Sequence, residues 1–118
     1  DIAGTEYDAA TAIWKGEWRM PNINEVEELA KNCTWTWTAQ NDVNGYRIVG
    51  PSGKEIFLPA AGQWRNTPIN VGSTGYYWTS SLSDEYSSAA YNLNFTGFSG
   101  RWSANRAYGF CIRAVCNK

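Results

Sequence analysis

The residues with most obvious chemical potential sit in the last third of the chain. Asp84 and Glu85 are adjacent acids in a polar run. Two carboxylates can help hold a hard cation, although calcium asks for six or more oxygens, or they can divide acid and base roles. Adjacent acids in a loop are more often simply solvated. Arg101, Arg106 and Arg113 offer forked donors that match an anionic ligand. The competing reading packs their stems over aromatic rings, and it is favoured for Arg106 and Arg113. Arg101, beside Trp102 in a Gly-Ser loop, is the better ligand contact. Trp102 suits a sugar stack, a partner pocket or the core about equally. Ser80, Ser81 and Ser87 have no base to activate them, because the chain contains no histidine. Asn94-Phe95-Thr96 fits a glycosylation triplet that is common by chance.

The three cysteines, Cys33, Cys111 and Cys116, include no Cys-x-x-Cys pair. With no histidine either, a zinc site lacks ligands. Two readings stay open: three inert thiols, or one disulfide with a thiol left over. If a bridge forms, Cys33–Cys116 is preferred, because Cys116 shares strand parity with apolar Phe110 and Ile112.

Composition limits what can position these groups. A chain of 118 residues is expected to be one domain, 1–118. Its 43% hydrophobic content and seven tryptophans are enough for a core and argue against disorder. A net charge of −1 with no basic run disfavours nucleic acid and anionic membrane surfaces as partners. No apolar run approaches the about 20 residues that a spanning helix needs. With no signal peptide at Asp1, the chain is expected to be a mature product or a cut piece.

Asp8 can cap a short helix over Ala9–Trp14 that stops at Gly16. Asn22 and Glu25 have capping-box spacing, and the helix after them places Val26, Leu29, Ala30 and Cys33 on one face. Glu25, Glu27, Glu28 and Lys31 are expected to face water. Thr34 to Thr38 alternates as a strand. Asn44-Gly45 is a turn signal, and 46–49 with 55–58 form a hairpin across Pro51-Ser52-Gly53-Lys54. Residues 59–74 read as a long loop. Strands are expected at 76–80, 89–95, 100–102 and 108–115. Within 89–95, Ala89, Tyr91, Leu93 and Phe95 are apolar while Asn92 and Asn94 alternate with them, the pattern of a half-buried strand. Trp18, Trp35, Trp37 and Trp78 read as core or packed rim. Helices followed by many short strands indicate an α+β fold with antiparallel sheets. Aromatics mixed with Ser, Asn and Gly over Gly75–Val115 suit a recognition surface carried on strands.

The blocks WKGEWRMPNINEVEEL, NCTWTWT, VNGYRIVGPSGKEIFLPAAG, GYYWTSSL and the closing R-x-YGFCIRAVC together resemble the Fibrobacter succinogenes major paralogous domain. The resemblance runs from about Asp8 to Cys116. It implies a C-type lectin-like fold, with two helices and twisted antiparallel sheets of short strands, on secreted or surface lipoproteins of Bacteroidetes. The variable proteins of diversity-generating retroelements use the same fold and diversify a C-terminal segment that binds ligands. The YYWTSSL…F…W…R…G…R-V pattern looks like that segment. The implied surface spans 84–107, with Asp84, Tyr86, Asn92, Asn94, Thr96, Ser99, Arg101, Trp102, Ser103 and Asn105 as ligand contacts.

Two departures shape what carries over. The family's N-terminal section, with a strand beside the last strand, is missing or replaced by Ile2–Thr5. The 108–115 strand is then expected to be an edge, covered by Ile2–Tyr7 or paired with a second chain in a dimer. The triplets through which calcium-dependent lectins hold sugars are also missing. The formylglycine-generating enzymes share the broad fold, but their paired active-site cysteines have no match. The expectation is a non-catalytic, calcium-independent, extracellular or cell-surface domain for a protein or glycan ligand, with no metal or cofactor. An assembly module of a larger surface or fibre-tip protein, completed by strand addition, is the second reading. A glycan-acting enzyme using Asp84 or Glu85 is the third.

Overall fold

Asp8 sets the first helix. In the computed structural model, which describes residues 1–95 and 102–117 and Trp102 through its backbone, its carboxylate accepts from Ala10 N–H (2.9 Å) and Thr11 N–H (3.1 Å). That satisfies donors left open at the start of α1 (Ala9–Trp14). The same side chain accepts from Gly4 (3.1 Å) and Met20 (3.0 Å), tying the N-terminal loop to the chain beyond the helix. Asp8 is fully buried. Burial pushes its pKa up, but the backbone donors of Met20, Gly4 and Thr11 outweigh this, and the carboxyl ends below its ordinary value. The helix stops one residue before the expected Gly16, at Lys15, whose φ is 60°.

After β1 (Trp18–Arg19) comes α2 (Ile23–Asn32), with both halves of the Asn22–Glu25 capping box formed. Val26 is buried, and Leu29 and Cys33 pack against the same core. Glu25 does not face water as expected. Arg19 donates to both its oxygens (2.7 and 2.8 Å), holding it half-buried with its carboxyl below the ordinary value.

Strands β2 (Thr34–Gln40), β3 (Val43–Val49) and β4 (Glu55–Pro59) form one antiparallel sheet in chain order. The 46–49 and 55–58 hairpin is present. The preceding turn is not at Asn44-Gly45 but at Asn41-Asp42, both left-handed (φ 51° and 66°), joining Gln40 to Val43 as a two-residue hairpin loop. Gly45 lies inside β3, because a Cβ there would meet Phe57 Cζ at 2.7 Å and Pro59 Cα at 2.9 Å on β4. The 59–74 segment is not structureless. It carries a small hairpin, β5 (Gln63–Trp64) with β6 (Pro68–Ile69).

Strands β7 (Tyr76–Leu82), β8 (Ala89–Asn94) and β9 (Trp102–Asn105) make the second three-stranded sheet. Every residue of β8 is buried. Leu93 and Phe95 join Val26, Ile48, Leu58 and Tyr77 in the main core between α2 and the two sheets. Phe95 presses its ring against Trp35, Trp37, Tyr46 and Tyr77, with centroids 5.0–6.5 Å apart. The opposite face of β7 is covered by Phe110, stacked on both Tyr76 (4.9 Å) and Trp78 (4.3 Å). Trp35 and Trp78 are half-buried, as expected for packed residues. Trp37 and Trp18 are each 44% exposed, and Trp18 meets the more exposed Trp14 edge to face (6.0 Å).

The 108–115 segment is not one strand. Gly109 exchanges backbone hydrogen bonds with Trp64 (2.7 and 2.8 Å), and Cys111 bonds Tyr76 and Trp78 (3.0 and 2.9 Å). β10 (Val115–Cys116) then pairs with β1. Its edge is therefore covered, though not by the route expected. Ile2 instead covers β7: its N–H donates to Ser80 O (3.0 Å), and Ser80 N–H donates to Pro21 O (2.8 Å). On this edge of β7, Cys111 thus takes the Tyr76 carbonyl and the Trp78 N–H, and Pro21 and Ile2 take the N–H and carbonyl of Ser80. All three cysteines are free thiols, so the Cys33–Cys116 bridge is not formed. Burial pushes the Cys111 thiol pKa up. Among the described residues, no helix is long and apolar enough to cross a membrane.

Candidate functional site

The expected ligand contacts divide between surface and interior. Asn92 and Asn94 are 3% and 6% exposed. They share the face of Trp78 and Tyr76, their register partners, and Asn94 Nδ2 lies 3.4 Å from Asn92 Oδ1. Alternation placed them outward, but this central strand is covered on both faces. They are structural residues and cannot meet a ligand from solvent. Thr96, Ser99 and Arg101 lie outside the described residues, and Trp102 is placed only by its backbone pairing with Asn92.

Four expected contacts are exposed and lie at one end of the sheet: Asp84, Tyr86, Ser103 and Asn105. Ser103 pairs with Tyr91 and Asn105 with Ala89, so both stand on the Tyr91 side of the sheet. The buried Tyr91 sends its hydroxyl to Asp84 Oδ2 (3.2 Å) and accepts from Asp84 N–H (3.3 Å). Ser83 Oγ accepts from the N–H groups of Glu85 and Tyr86, both at 3.2 Å, a local hydroxyl turn that fixes the loop. Tyr86 is held through its backbone while its side chain stays 60% exposed. Asn105 Oδ1 accepts from Ala107 N–H (2.9 Å), closing the turn after β9.

Arg106 joins the two loops, a role the stem-packing reading did not anticipate. Its N–H donates to Ser88 O (3.0 Å) and its Nη2 to Ser87 O (2.7 Å). Among the described residues, the cation found over a ring is Arg65, 3.8 Å from the Tyr108 centroid. No group of three or more His, Cys, Asp or Glu among the described residues is placed to hold a metal. Asp84 and Glu85 are exposed, and Asp84 bonds to Tyr91. Nothing in the sequence marked Ser83 or Arg106 as loop anchors beyond their types.

On the other face of the same sheet lies an apolar cleft of about 470 Å³. Met20, Trp78, Leu82, Ala90 and Ile112 line it, with Arg106 at the end where Leu82 and Ala90 lead into the loop. Sequence reasoning missed this cleft because its walls come from segments far apart in the chain. A second exposed apolar group stands on α1 and β1, where Ile13 (71%), Trp14 (56%) and Trp18 (44%) face outward. A scan of family models finds none that matches the chain, and neither a curated protein nor a solved structure matches it.

Proposed function

We propose that this chain is a non-catalytic, calcium-independent ligand-binding domain of C-type lectin-like fold, acting outside the cell or on a bacterial surface. Its ligand is a protein or a glycan. The contact surface is the end of the second sheet, where Asp84, Tyr86, Ser103 and Asn105 stand exposed. The observation that carries this reading is the way that end is held. Tyr91, Ser83 and Arg106 fix the loops by hydrogen bonds and leave an aromatic ring and polar side chains facing water. Little ordering entropy then remains to be lost on binding. Screening the domain against glycan and protein arrays tests the proposal, followed by Asp84, Tyr86, Ser103 and Asn105 all changed to Ala. Capture by the parent and loss by the variant is the expected result, with the melting temperature lowered only modestly through the lost Asp84–Tyr91 and Asn105–Ala107 bonds and the core amide shifts unchanged. Capture that survives all four changes places the site elsewhere.

The exposed Ile13, Trp14 and Trp18 favour a second reading, an assembly module that packs this apolar group against a neighbour. Strand addition to the 108–115 segment is not needed for that reading, since that segment already has neighbours.

A further inference from the structure

We propose that the apolar cleft on the opposite face of the sheet is a second binding site, and that it takes a small carboxylate with an apolar body. Its volume, about 470 Å³, falls in the range of small-molecule pockets. Its walls are apolar and preformed. Met20 is buried, and the Trp78 indole is fixed by its stack on Phe110 at 4.3 Å. Ile2 closes one side, held by its N–H bond to Ser80 O. Tyr7 lines the mouth and is 75% exposed, an aromatic ring kept in water where an occupant could cover it.

The charge at the site selects the ligand. Among the described residues lining the cleft, Arg106 carries the one charge, and no acid stands beside it there. Arg106 forms no ion pair among the described residues and gives one side-chain hydrogen bond, from Nη2 to Ser87 O. A guanidinium has five N–H donors, so its fork retains capacity for a carboxylate. An apolar chamber with one cation at its end fits an aromatic or medium-chain acid. An amine of the same shape would meet repulsion, and an alcohol would gain only the apolar contact.

The test uses 3-phenylpropionate and octanoate, with 3-phenylpropylamine and 3-phenylpropanol as controls, followed by shifts of the Trp78 indole and Ile112 methyl signals. The acids are expected to saturate those shifts, the alcohol to bind at least tenfold more weakly, and the amine to leave them unmoved. Arg106→Gln should bring the acid down to the level of the alcohol without changing alcohol binding. Leu82→Trp, at a partly exposed wall position, should block both. Competition by a short peptide with a free C-terminal phenylalanine would mark a chain terminus as the source, and failure to compete a free acid. Absent shifts with the acids, equal binding of the amine, or acid binding unchanged in folded Arg106→Gln would each overturn the proposal. The changes at Asp84, Tyr86, Ser103 and Asn105 should leave acid binding intact, so loss of array capture in that variant does not bear on the cleft. Arg106, which also bonds Ser87 O, is the one residue the two sites share.

Discussion

The hydroxyl of Tyr91 lies 3.2 Å from the carboxylate of Asp84 and accepts from the Asp84 N–H, so a buried residue of a central strand reaches out and fixes an exposed loop. The order of the recognition surface therefore originates in the sheet. Tyr91→Phe keeps the ring and removes the tether. It should cost about 1 kcal/mol in urea unfolding and speed amide exchange at Asp84 more than at Leu93. Equal exchange at Asp84 in both proteins would show that the loop orders itself.

Acid should unfold this chain through Asp8 and Glu25. Both carboxyls lie below their ordinary values in the folded protein: Asp8 through backbone donors that outweigh its burial, Glu25 chiefly through Arg19. The unfolded chain then binds more protons in acid than the folded one. Their stabilisation is complete above the ordinary carboxylate range and fades as pH falls through about 4 and below. Thermal melts from pH 7 to pH 3 should show the loss, and Asp8→Asn should flatten the decline while lowering stability at pH 7. A decline of undiminished slope in Asp8→Asn would assign the acid sensitivity to other groups.

Backbone conformation supplies a prediction of opposite sign. Lys15 and Asp42 hold positive φ of 60° and 66°, where glycine is relaxed and other residues are strained. Lys15→Gly and Asp42→Gly should each raise stability by up to about 1 kcal/mol, the lost strain offsetting the added freedom of the unfolded chain. Gly45→Ala, whose Cβ would run into β4, should lower it. Denaturant midpoints for the three variants check the signs.

Phe95 is the side chain on which both sheets converge, touching Trp35, Trp37, Tyr46 and Tyr77. Phe95→Ala should cost about 3–5 kcal/mol and weaken both sheets together. A variant in which the first sheet keeps its exchange protection while the second loses it would mean that the two sheets fold independently.

Local signals carried much of this architecture. The Asn22–Glu25 spacing yields a complete capping box, Asp8 caps α1, and the 46–49 and 55–58 hairpin has its expected partners. The failures share a cause, which is that exposure depends on distant chain. Asn92 and Asn94 alternate as outward residues should, yet they are buried, and that side of the sheet carries Phe110, from the chain beyond β9, stacked over their register partners Tyr76 and Trp78. Asn44-Gly45 has turn composition, but Gly45 is needed where β4 passes too close for a side chain. The 108–115 segment looks like one strand by residue type, yet it changes partner from Trp64 to β7 to β1 along its length. At the candidate site, Asp84, Tyr86, Ser103 and Asn105 could be named from composition, whereas their anchoring by Tyr91 and Arg106 could not.

The most direct measurement is a map of backbone amide shifts in isotope-labelled protein as a ligand captured from the arrays is added. The account predicts perturbations concentrated at residues 83–88 and 103–107, with α1 and the Asn41-Asp42 turn unmoved. Shifts centred on Ile13, Trp14 and Trp18, with the 83–88 loop silent, would contradict it and favour an assembly role for the α1 face.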